Sequence, residues 1–151
     1  MPAEKRLLAA EAFWREKPED AQLQHLDAEA IIARRLNFRA KSVHALPIER
    51  KARHLSHLND VSDAVATRAL ISYHFTVKRD LMAAFLDALE IKHENGLINE
   101  DSVPAPSRDR LAAAIATLRS AFPQDDVDLY LRTLTALDEE TWAGVEAAMA
   151  N

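Results

Sequence analysis

SDAVATRALISYHFTVKRDLMAAFLDALEI (residues 62–91) decides the fold. Ala66, Leu70, Tyr73, Val77, Leu81, Ala84 and Ala88 recur three or four residues apart and fall on one side of a helix. Ile71, Phe75, Met82 and Leu86 occupy the far side. A helix that is apolar on two sides is buried by neighbours on both, so this segment reads as a central helix capped by Ser62. The charges at Lys78, Arg79 and Asp80 mark the place where it would break in two, with Asp80 able to start the second half. Asn95–Gly96 reads as its C-terminal cap, glycine tolerating the left-handed conformation.

The flanking segments carry the same 3–4 spacing. Leu7, Ala10 and Trp14, with Leu8 and Phe13, predict a first helix ending before Pro18. Leu23, Leu26, Ala30, Ala33 and Leu36 predict the buried stripe of a second. Pro47 opens a third whose stripe is Ile48, Ala52, Leu55 and Leu58. Beyond a proline-punctuated loop over 95–107, Leu111, Ile115, Leu118 and Phe122 predict a fifth helix, stopped by Pro123. Val127, Tyr130, Leu131, Leu134 and Leu137 predict a sixth, and Asp138 caps a seventh burying Trp142, Val145 and Met149. Period-two runs of β-branched and aromatic residues are absent. The expectation is an all-α, compact single domain over 1–151, six or seven helices around the central one, with a sub-boundary at the 95–107 loop. A chain of 151 residues can bury a substantial core.

Composition removes several classes of activity. There is no cysteine, hence no disulfide, thiol nucleophile or cysteine-ligated metal. The two glycines, Gly96 and Gly144, lie far apart, so phosphate-cradling loops, dinucleotide fingerprints and the GxSxG elbow cannot be written. No uninterrupted apolar run matches a secretory leader or a membrane span. A cytoplasmic location without membrane attachment is the default expectation. No cofactor is implied, and the oligomeric state stays open because outer helix faces could pair two copies.

Charge is laid out unevenly. The net charge is −5, yet residues 34–57 hold seven cations against one acid, and residues 94–151 hold eleven acids against four arginines. Within LPIERKARHLSH (residues 46–57), helix geometry sets Arg50, Arg53, His54 and His57 opposite the apolar stripe. Guanidinium forks and imidazole N–H groups are donors suited to phosphate or carboxylate. Arg34, Arg35, Arg39 and Lys41 would widen the patch if the 37–46 connection folds back. The reading is a non-enzymatic binding module that uses this basic face toward an acidic or phosphorylated protein or a small anion.

Other readings rank lower. His54 and His57 have a metal-compatible spacing, but guanidinium neighbours repel a divalent cation and no third ligand is evident. Glu90 and His93 match E-x-x-H, which di-iron bundles use in pairs; a second copy is missing. A small helical enzyme or ligand-binding protein would place its pocket at Tyr73 and His74, with His74 as acid–base. Nucleic-acid binding is the second alternative, weakened by a pI near 5.7 and by Phe38–Arg39 being the only basic–aromatic neighbours in the patch.

Overall fold

A computed structural model describes residues 1–98 and 103–150. These residues form ten helical segments and no strand, so the all-α expectation holds. The chain divides into two compact units, Met1–Thr76 and Val77–Asn151.

The first unit contains α1 (Ala3–Arg15), α2 (Pro18–Leu36), α3 (Ala40–His44), α4 (Ile48–Ser56) and most of α5 (Asp63–Val77). Its core joins Ala10, Phe13 and Trp14 of α1 to Ile31 and Ile32 of α2, Val43 of α3, Ala52 and Leu55 of α4, and Val65 of α5. Alanines on α1 let α4 approach closely, and these two helices share the most extensive packing in the unit. Ser62 caps α5 as expected, its hydroxyl accepting the Val65 N–H at 3.3 Å while donating to Asp27 at 2.7 Å.

The stripe expected on α2 holds at Ala33 and Leu36 and is corrected before them, where Ala30 is exposed too. Leu23 and Leu26 are 77% and 53% exposed, while Ala21, Ala28, Ile31, Ile32 and Ala33 are buried. Ala21 is kinked (φ −137°, ψ 21°), which offsets the phase of the first turn from the rest. Asn37, left-handed at φ 55°, ends the helix, with the Phe38 N–H reaching the Ala33 carbonyl at 2.8 Å.

The single rod over 62–91 is two helices, broken where the three charges sit. Lys78 (φ −121°, ψ 31°) separates α5 from α6 (Arg79–Ala88). Asp80 lies in the first turn of α6 rather than at its cap. Nor does the second half run to Ile91. Glu90 adopts φ 58°, and the Ile91 N–H closes on the Leu86 carbonyl at 2.9 Å. Asn95–Gly96 instead turns a tight hairpin, with paired 2.9 Å bonds between Glu94 and Leu97 and positive φ at both central residues. Residues 99–102 of the expected loop lie outside the described residues, and 103–106 have no regular structure.

The second unit continues with α7 (Arg108–Ala121), α8 (Gln124–Leu137), α9 (Glu139–Trp142) and α10 (Val145–Met149). The expected seventh helix is thus split before Gly144, where an added Cβ would stand 3.0 Å from Leu111. Phe85 packs edge-on to Tyr130 (5.6 Å) and against Trp142 (5.8 Å). Burial pushes the Tyr130 phenol well above its ordinary pKa. Asp138 caps α9, and its hydrogen bonds from Thr141 hold that carboxyl below its ordinary value. Lys78 ties the start of α6 to Asp126 of α8 at 3.0 Å.

Gly96 has φ 90°, and a Cβ there would lie 2.9 Å from the Met82 Cβ. Gly96→Ala is therefore expected to cost about 1–3 kcal/mol in urea denaturation; an unchanged midpoint would mean the turn does not take this form.

Candidate anion-binding cleft

The cleft is a consequence of how α4 docks. Pro47 sets the approach of the chain at φ −58°, and Ala52, Leu55 and Leu58 are buried. The opposite side is therefore turned outward: Arg50, Arg53 and His57 are exposed and His54 is half-buried. The last turn of α2 comes alongside the last turn of α4. Between them lies a cleft of about 230 Å³ lined by Ile32, Arg35, Leu36, His54, His57 and Leu58.

Of the eight residues proposed from sequence, the fold gathers Arg35, His54 and His57 around this one space. Arg34, Arg39, Lys41, Arg50 and Arg53 are exposed but lie outside its lining. Lys51 points elsewhere: its ammonium stands 4.7 Å from the centre of the Trp14 ring. Among the described residues, no carboxylate forms an ion pair with Arg35, Arg50, Arg53, His54 or His57.

Both walls are helix C-termini, where the macrodipole favours cations. The same field would weaken an anion bound against bare carbonyls. Four of the carbonyls near these ends are engaged: Ala33 and Arg34 accept from Phe38 and Asn37, and His54 and Leu55 accept from His57 and Leu58. The side-chain donors remain available to face an outside group. One guanidinium fork with two flanking imidazoles can hold a phosphate or carboxylate, and the apolar rim of Ile32, Leu36 and Leu58 can meet a carbon-bearing neighbour of that anion.

The remaining candidates have local partners. His93 accepts the Gly96 N–H at Nδ1 (3.0 Å), so its Nε2–H donates to Asp87 (2.7 Å). Glu90 leans toward Arg110 at 3.5 Å, so the E-x-x-H pair is drawn in two directions. Tyr73 and His74 are both buried, with rings edge-on at 5.2 Å. His74 Nδ1–H donates to the Leu70 carbonyl one turn back, at 2.7 Å. None of the three described cavities is lined by either side chain.

Two features had no signal in the sequence. Glu16 gathers Arg68 and Ser72 onto its carboxylate. Glu29, 5% exposed, receives its described bonds from the exposed His44, whose Nδ1 is 2.9 and 3.1 Å from the two carboxylate oxygens. No pattern of spacing predicts a carboxylate on the buried side of α2.

The chain matches no protein-family model, no curated protein and no solved structure.

Removing the imidazole from Glu29 strands a buried carboxylate, whereas removing one from the cleft strands nothing. His44→Ala is expected to cost about 1–3 kcal/mol, and His54→Ala less than about 0.5 kcal/mol, in parallel chemical denaturation. Equal losses would contradict this division between a structural and an available histidine.

Proposed function

We propose that the chain is a non-enzymatic helical module that binds an acidic or phosphorylated partner through the end of α4 and the end of α2. The observation that carries this reading is the convergence of Arg35, His54 and His57 on one open cleft without a carboxylate of their own. Three side chains from two helices share that space, and they come from residues 19 to 22 apart in sequence. An exposed cation on a single helix needs no purpose. Arg35 has no carboxylate partner among the described residues, and an outside anion would supply one, with the two imidazoles as further donors.

Arg35 is the anchor, since its planar fork can bind two oxygens at once. His54 and His57 act as flanking donors whose contribution grows when they are protonated. Arg34, Arg39, Lys41, Arg50 and Arg53 supply a surrounding positive field that speeds encounter and orients the approaching partner.

Titration of the labelled protein with a phosphoserine-containing acidic peptide tests this by NMR. Saturable shifts are expected at the His54 and His57 rings, weakening steeply from low to moderate salt. Arg35→Glu is expected to reduce affinity tenfold or more, about 1.4 kcal/mol, and Arg34→Glu to reduce it far less. Equal affinity of the unmodified and Arg35→Glu proteins contradicts the reading.

A further inference from the structure

A second cavity lies on the other side of α4. It measures about 290 Å³ and is an open groove bordered by α1, the end of α4 and α5. That is close to the lower bound of small-molecule sites, roughly 300 Å³. Its walls are aliphatic, including Ala10, Leu55, Leu58, Val65, Ala69 and Leu70, and carry no aromatic ring. The one charged side chain in the lining is Arg6.

Arg6 is held in place by the backbone. Its Nη2 donates to the Leu58 carbonyl at 2.9 Å and reaches the Asn59 side-chain oxygen at 3.5 Å. Nε and Nη1 have no acceptor among the described residues. A fixed guanidinium beside an open aliphatic groove suits a ligand with one negative head and an unfunctionalised chain. A carboxylate matches the single positive charge and the forked donor geometry.

We infer that this cavity is a binding site for a medium-chain alkyl carboxylate, with Arg6 receiving the carboxylate and the α1–α4–α5 cavity receiving the chain. The assignment does not rest on the proposed function of the cleft. The two spaces share only Leu58, which lines both.

Calorimetric titration of the full chain with octanoate, 1-octanol and octylamine tests the site. Octanoate is expected to bind saturably at one site, at least tenfold more tightly than octylamine, with octanol between them. Arg6→Gln is expected to bring octanoate down to the level of octanol. Ala66→Leu, which fills the cavity, is expected to abolish binding of both while the helical circular dichroism is kept. Arg35→Glu is expected to leave octanoate binding unchanged, which separates this site from the cleft. Absence of saturable octanoate binding overturns the proposal. So does equal affinity for octanoate and octylamine in the unmutated protein, a comparison that needs no variant to fold. A loss of octanoate binding in Arg35→Glu equal to that in Arg6→Gln would place the carboxylate elsewhere and overturn it too.

Discussion

The seam between α1 and α4 is the constraint from which the first unit follows. A helix of nine residues such as α4 is not stable alone in water, because the nucleation cost is spread over too few bonds. Its helicity depends on burying Ala52, Leu55 and Leu58 against a neighbour. Each buried leucine contributes about 1.5–3 kcal/mol, more than the intrinsic preferences of the surrounding polar residues can oppose. Small residues at Ala9 and Ala10 border Leu55 of α4, and the fully buried Phe13 belongs to the same core. Once that stripe is committed inward, the polar side of α4 has no choice of direction.

Two spaces then arise from one helix. The aliphatic cavity opens where α4 meets α1 and α5, and the cationic cleft opens where it meets α2. Leu58 is the partition. The cleft is built from two helix C-termini, whose field favours the Arg35 guanidinium. The carbonyls of Ala33, Arg34, His54 and Leu55 at those ends are already bonded, which leaves the anion to the side-chain donors. Two neighbouring groups have partners of their own, Lys51 over Trp14 and His44 on Glu29.

How much of this was legible depends on whether local pattern or tertiary choice decides the feature. Helices α1, α4, α7 and α8 each carry one apolar stripe, and the structure buries most of it. In α8, Val127, Tyr130, Leu131 and Leu134 are buried although Leu137 is not. Helix α2 carries two candidate stripes. The fold exposes Leu23 and Leu26 and buries Ala28, Ile31 and Ile32, while Ala33 belongs to both stripes and Leu36 packs against the core. The Asn95–Gly96 pair illustrates a second ambiguity. Positive φ serves a helix cap and a hairpin turn equally, and the turn won because α6 had already closed at Glu90. For the cleft, His54 and His57 on the outer side of α4 could be read from the wheel. That Arg35, rather than Arg50 or Arg53, shares their space follows from the placement of α2, which no local spacing encodes.

The central claim is that docking of α4 on α1 turns His54 and His57 outward as a reactive pair, and it can be read residue by residue. Brief treatment of the native chain with diethyl pyrocarbonate, followed by peptide mass spectrometry, measures the accessibility of each imidazole. His57 and then His54 are expected to modify at rates near those of the unfolded chain, while the buried His74 is strongly protected. Protection of His54 and His57 to the degree found at His74 would contradict the account.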